Sequence, residues 1–213
     1  LTVFFYYLIP KKFKKYQWVV LLLASYAFYL STGIAQVIFI VASTIVTYVS
    51  TILMQKIRIK NKEQIAALPE TITKEEKKAI KNKLSKKIKR VQVTTILLHL
   101  GLLGAVKYLN DLFADINAVS TMFKWNVNLP FVNMIVPLGI SFFTFASIGY
   151  VIDIGRGKYE PEKNILKVGL FVSFFPSIVQ GPINRFDDVG TQLFEEHSFD
   201  YDRFIKGAEF GPI

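Results

Sequence analysis

Charge is distributed very unevenly along this chain, and that limits what it can fold into. The stretch from Gln55 to Arg90 holds 13 of the 26 basic residues and 4 of the 16 acidic ones, so it carries +9 of a formal net charge of +10. The remainder is close to neutral and strongly apolar: 52% of all residues are hydrophobic and 15% aromatic. Mean hydropathy is +0.36 despite the charge. A nucleic-acid-binding domain spreads Lys and Arg among polar residues on one face, so no nucleic-acid partner is expected. Apolar blocks joined by a basic segment read instead as membrane spans with a cytoplasmic loop, and the bilayer is the first expected partner.

The apolar blocks come at about the length that crosses a bilayer, roughly 20 residues. They cover 1–9, about 17–30, Ile34–Met54, about Val91–Leu109, Met134–Ile152 and a sixth beginning near Ile165. Ser31-Thr32-Gly33 reads as the turn between the second and third. The expected fold is therefore an all-α polytopic membrane protein of about six transmembrane or re-entrant helices. Segments 11–15, 55–90 and 156–167 share one side and carry 21 of the 26 basic residues. Segments 31–33 and 110–133 share the other, with Lys124 alone. Basic loops stay in the cytoplasm, so the first set is assigned there, in a multi-pass plasma-membrane protein. Within 55–90, Thr73 and Glu76 fit a capping box, and Ile80, Leu84, Ile88 and Val91 follow at helical spacing. This segment reads either as a solvated helix leading into the next span or as a surface helix on anionic lipid. The first block reads as the end of an apolar span whose start is missing, and the last residues stop abruptly, so the chain is expected to be a piece of a longer protein, cut at both ends.

Polar side chains inside hydrocarbon should face other helices or a cavity. Three blocks carry such stripes: Ser43, Thr47, Ser50 and Met54; Gln92, Thr95 and His99; and Pro137, Ser141, Thr144, Ser147 and Tyr150, leading to Asp153. Packing between helices accounts for Ser and Thr. His99, Ser141 and Thr144 are the candidates for an intramembrane polar site, with His99 readable either as a working group or as a neutral imidazole bonded to a neighbouring helix. His197, in "EEHSFD", has no standard metal-ligand spacing, and no metal or bound cofactor is expected. There is no cysteine, hence no thiol nucleophile or disulfide. Gly139-Ile-Ser141 lacks the second glycine of a nucleophile elbow, and Gly155-Arg-Gly157 is no dinucleotide fingerprint.

The sixth block is broken. Its apolar run, Val168–Val179, is 12 residues, about 18 Å as a helix against a core of roughly 30 Å. Pro176 cannot donate its amide and tends to end a helix near Phe175. Gln180-Gly181-Pro182 then favours an irregular turn. Irregular backbone at membrane depth persists only where protein or a watery cavity supplies its hydrogen bonds. One reading is a segment that enters, breaks part-way and lines a cavity with Gln180, Asn184 and Arg185. The other is a full span merely kinked at Pro176.

"VPLGISFFTFASIGYVIDIGRG" (136–157) followed by "VSFFPSIVQGPINRFDD" (172–188) resembles the membrane-bound O-acyltransferase family, in the alginate O-acetylation branch. "LLLASYAFY" (21–29) is similar to the same branch. The resemblance implies a ring of tilted helices, part of which this chain would form, with 1–213 the N-terminal part of a single domain. A tunnel through that ring passes an acyl group from a donor on one side to a hydroxyl on the other. It implies acetyl-CoA or an acylated carrier as donor. The acceptor would be an extracytoplasmic polysaccharide, a cell-wall polymer or a downstream acyltransferase. It also implies that Pro176, Gln180, Gly181, Pro182 and Arg185 belong to the tunnel wall. The family's catalytic histidine sits in a Trp- and Arg-rich stretch that nothing here matches, so no catalytic residue is assigned and this chain alone is expected to be inactive. A hydroxyl needs a general base at neutral pH, and a dry tunnel protects the donor from hydrolysis. A transporter or channel with broken helices, or a non-catalytic acyl-relay subunit, would share these features.

Overall fold

The computed structural model describes residues 2–67, 74–125, 127–132, 136–177, 185–198, 200, 201 and 205. Among them every regular element is helical. In chain order these are α1 (Thr2–Leu8), a 3-10 helix (Lys11–Tyr16), α2 (Gln17–Thr32), α3 (Ile34–Ala66), α4 (Lys74–Met122), α5 (Ile140–Arg156), α6 (Ile165–Ser173), a π-helical turn (Phe186–Gly190) and α7 (Thr191–Phe194). The expected all-α class is met.

Helix α3 is central and packs against α2, α4, α5 and α6. Its two faces are inverted relative to a water-soluble protein. Ser43, Thr47, Ser50 and Thr51 are buried, while Ile34, Ile38, Ile45, Val49 and Leu53 are exposed. In α4, Thr95 and His99 are buried and Leu97, Leu98 and Leu100 exposed. Water would drive the aliphatic face inward; a hydrocarbon solvent leaves polar contacts to hold helices together. Both helices are long and apolar enough to cross a bilayer. Helices α2 and α5, with 16 and 17 residues, rise only about 24–26 Å. The expected count of about six spans therefore rests on two helices that meet the length and composition of a crossing.

The structure corrects three boundaries. The basic segment 55–90 is helix over most of its length rather than loop, because α3 runs on to Ala66 and α4 starts at Lys74. Lys, Glu, Gln and Ala are good helix formers, and Glu75 and Glu76 sit favourably in the first turn of α4. This agrees with a helix leading directly into the next span; Thr73 of the expected capping box lies outside the described residues. The fifth helix begins at Ile140, not Met134. Gly139 takes a left-handed conformation at φ 72°, and the Ile140 amide bonds back to the Pro137 carbonyl at 3.1 Å. Finally, the fourth helix continues past Leu109 to Met122. The chain then folds back along it. Asn117 exchanges two hydrogen bonds with the Leu129 backbone (2.7 and 3.0 Å), and Asn110 two with Val132 (2.9 and 2.8 Å). Seven residues apart, these asparagines share one face of α4 and supply the partners a returning strand would otherwise lack.

The turn between α2 and α3 reduces to Gly33, whose φ of 136° is accessible to glycine at little cost. At the opposite end of α3, Arg58 caps α5: its guanidinium donates to the carbonyls of Ile154 (2.7 Å) and Gly155 (3.2 Å). A cation there satisfies carbonyls left open at the helix end and complements its dipole.

Candidate functional site

Helix α6 is the most enclosed element. Val168, Leu170 and Ser173 are fully buried, with Phe171 and Val172 nearly so. Its first turn, with Ile165 and Leu166, is exposed, but six consecutive buried residues from Val168 cover every side of the helix and must sit inside other helices. Its start is fixed by Asn164, whose side-chain oxygen accepts from the Leu166 amide at 2.9 Å. The preceding loop is tied down by Tyr48, which donates to the Lys163 carbonyl (2.9 Å), and by Tyr150, which accepts from the Glu162 amide (2.8 Å). Gly169 lets α2 and α3 approach: a Cβ there would lie 3.4 Å from the Tyr26 hydroxyl and 3.6 Å from a Thr44 methyl.

The helix ends at Ser173, and Phe174 leaves helical geometry with ψ 100°. Nine residues rise about 14 Å, under half of a bilayer core. Pro176 is exposed, and it and Ser177 return to helical geometry. Gln180, Gly181 and Pro182 lie outside the described residues. Arg185, also exposed, is the next described residue, and its carbonyl accepts from the Asp188 and Val189 amides.

By then the chain is back at the level from which α6 set out. Lys158 pairs with Asp187, and the hydrogen bond from that ammonium holds the Asp187 carboxyl below the usual carboxylate range. The Phe186 ring packs against Tyr150 (4.7 Å between centroids), Phe171 (5.1 Å), Tyr159 (5.6 Å) and Phe194 (6.1 Å). The Lys167 ammonium lies 4.8 Å from the Phe194 centroid. Burial raises the Tyr159 phenol, and the neighbouring Asp153 carboxylate raises it further. Both ends of the excursion are therefore anchored to the 157–167 loop. Of the two readings of the broken segment, these contacts of its flanks favour the one that returns, while residues 178–184 themselves lie outside the described residues. Two buried hydroxyls, Tyr29 on α2 and Ser173 at the end of α6, have no hydrogen-bond partner among the described residues. Most buried polar groups are paired, so unpaired ones call for an explanation.

The three polar stripes converge elsewhere, on His99. Its Nδ1 lies 2.9 Å from the Thr95 carbonyl. A carbonyl only accepts, so Nδ1 carries the proton and Nε2 is the acceptor. Ser43 (3.1 Å) and Thr47 (3.2 Å) approach Nε2, and Ser43 is 3.2 Å from Ser147. All five residues are buried. A serine hydroxyl on an imidazole is one half of a nucleophile–base pair. Here, however, it joins α3, α4 and α5, and the imidazole is satisfied by neutral partners. Thr144 is buried on the same helix as Ser147, and Ser141 is half-buried. No hydrogen bond among the described residues links either to His99.

His197 is held by Gln17, a fully buried side chain that donates to its carbonyl (3.0 Å) and accepts from its amide (2.9 Å). Among the described residues no group of three metal-ligating side chains is assembled. Gln17, Arg58, Asn110 and Asn117 escape sequence reasoning because each lies in a run explained by composition alone. The seven-residue spacing of the two asparagines is the one signal that could have found them.

Comparison with known proteins adds an independent line. Over 111 residues, 51% of this chain, it is 36% identical to the probable alginate O-acetylase AlgI of Pseudomonas putida, covering 22% of that protein. The same identity holds over 115 residues to the probable alginate O-acetylase AlgI of Pseudomonas aeruginosa, covering 53% of this chain and 21% of that protein. A peptidoglycan O-acetyltransferase of Helicobacter pylori is 24% identical over 127 residues, 48% of this chain and 23% of its own. The matched stretch thus spans about a fifth of these relatives' length. No family model and no solved structure matches the chain. Across half its length, then, this chain is similar to bacterial polysaccharide and peptidoglycan O-acetyltransferases, in line with its motif resemblance to the membrane-bound O-acyltransferase family.

Proposed function

We propose that this chain is the N-terminal part of a multi-pass plasma-membrane O-acyltransferase. The whole protein would pass an acetyl group from a cytoplasmic donor, acetyl-CoA or an acylated carrier, towards hydroxyls of an extracytoplasmic polysaccharide or cell-wall polymer, directly or through a downstream acyltransferase. The observation that carries the reading is α6: enclosed from Val168 on, ending at Ser173 with an unpartnered hydroxyl, and followed at Asp187 by a contact back to Lys158 in the loop before it. Such a break supports a passage that meets the bilayer part-way. The similarity to O-acetylases supports acetyl as the transferred group and a polymer as acceptor. In this reading Pro176, Gln180, Gly181, Pro182 and Arg185 line the passage. The general base that deprotonates the acceptor lies in the full-length protein outside this chain.

The test is polymer-bound acetate in a deletion strain complemented with the full-length protein. Wild type is expected to restore it, and Gln180→Ala or Arg185→Ala to lower it at least about tenfold, the effect of losing roughly 1.4 kcal/mol of transition-state stabilisation. Normal acetate with both variants would remove the passage role. A strain that never depended on the gene for acetate, but lost uptake or efflux of a solute, would favour a transporter, which also uses broken helices.

Orientation has its own test. With 55–90 cytoplasmic, single cysteines at Lys60 or Lys83 are expected to resist a membrane-impermeant maleimide in intact cells and to react after lysis. Labelling before lysis would invert the topology.

A further inference from the structure

The outer faces of α3 and α4 do not close on one another. Between them runs a groove of about 460 Å³, walled by Val49 and Leu53 of α3 and Val91, Thr94 and Leu98 of α4, with Arg90 at one end. A smaller hollow, about 60 Å³, shares Val46 and Leu98 with it and reaches Ser43, His99 and Leu102. From Val91 to Leu102 the axial distance is about 17 Å, close to half of a roughly 30 Å hydrocarbon core. The groove itself, from Arg90 to Leu98, covers about 12 Å of this, and with the hollow it is about one leaflet deep; the groove's volume is within the range of roughly 300–1,000 Å³ for small-molecule sites.

Its rim is strongly basic. Arg90 is exposed and makes no hydrogen bond or ion pair among the described residues. At helical spacing the same face of α4 continues through Lys87 and Lys83, and the groove face of α3 beyond Leu53 continues through Lys56 and Lys60. All four are exposed. An apolar slot one leaflet deep, capped by a guanidinium and flanked by lysines, complements an acyl chain bearing an anionic headgroup.

We propose that this groove is a binding site for an anionic phospholipid, with one acyl chain laid between α3 and α4, its phosphate on Arg90 and its tail end over Leu102. The site rests on α3 and α4 crossing the bilayer and is independent of acyl transfer.

The experiment is native mass spectrometry of the full-length protein in mild detergent, with equal dioleoyl phosphatidylglycerol and dioleoyl phosphatidylcholine. The phosphatidylglycerol adduct is expected to exceed the other by about fivefold or more, the factor one basic residue contributes near an anionic surface. Arg90→Gln should bring the two lipids level, and Val49→Trp, which fills the slot with Arg90 intact, should abolish the excess. Lys12→Gln, distant in sequence, should leave it unchanged. Equal binding in wild type, or an excess that survives both Arg90→Gln and Val49→Trp, overturns the site. So does a cysteine at Leu98 that a bilayer-dissolved maleimide cannot reach, since the groove would then be filled by the rest of the protein. Polymer acetate measured in cells carrying the same variants separates this outcome from failure of the acyltransferase reading.

Discussion

Phe186→Ala in the full-length protein is expected to cost about 3 kcal/mol of stability and to abolish polymer acetylation. The ring contacts Tyr150 on α5, Tyr159 in the loop, Phe171 on α6 and Phe194 on α7. Truncating it loses the transfer free energy of the ring and leaves a cavity that four aromatic neighbours cannot easily close. Nearby, Leu193 packs with Trp18, Leu22 and Leu170, while Lys158–Asp187 has side chains 41% and 32% exposed. An ion pair that open to solvent contributes little. Without Phe186 the chain after Arg185 therefore loses its aromatic contacts with α5 and α6 and keeps those made by α7 and His197. Denaturant unfolding in detergent checks the stability, and polymer-bound acetate checks the function. Phe186→Leu, which keeps much of the volume, should recover a large part of both. Near-normal stability for Phe186→Ala would mean that the aromatic cluster does not anchor the excursion.

His99→Ala is expected to lower stability by about 2–4 kcal/mol, while His99→Gln recovers roughly half. Alanine removes the acceptor for Ser43 and Thr47, the donor to the Thr95 carbonyl, and the volume of the ring at the meeting point of three helices. Hydrogen bonds between membrane helices are worth only about 0.6–1.7 kcal/mol each, so the cavity contributes as much as the lost bonds. A glutamine amide has both a donor and an acceptor, and can replace part of the network. The readout that separates packing from chemistry is acetylation per unit of folded protein. With a packing role, His99→Gln keeps that ratio close to wild type. If His99 were a base or nucleophile partner, glutamine would be as inactive as alanine at equal folded amount.

Much of the architecture was legible in the sequence because it depends on local terms. Hydropathy marked the two helices long and apolar enough to cross a bilayer, and the charge count marked the basic segment between them. Pro176 implied a helix ending near Phe175, and α6 ends two residues earlier. The Ser/Thr stripes on α3 and α5 implied buried faces, and those faces are buried. Boundaries failed where two local signals competed. The lysine-rich segment looked like a loop by charge, but its residues are good helix formers, and α3 and α4 extend into it from either side. Met134 looked like the start of a span by hydropathy, but Pro137 and the left-handed Gly139 delay α5 to Ile140.

What the sequence by itself determined is the inverted pattern of α3 and α4, the helix leading from the basic segment into the next apolar block, and the position of the break. Each follows from a residue's own preference for lipid, water or helix. Only the tertiary structure decided that three polar stripes meet at His99, that Gln17 holds His197 from 180 positions away, and that Asp187 pairs with Lys158. These depend on how far each helix is rotated about its axis and where it crosses its neighbours. Side-chain packing summed over the whole bundle sets those angles, and no single stretch of sequence encodes them.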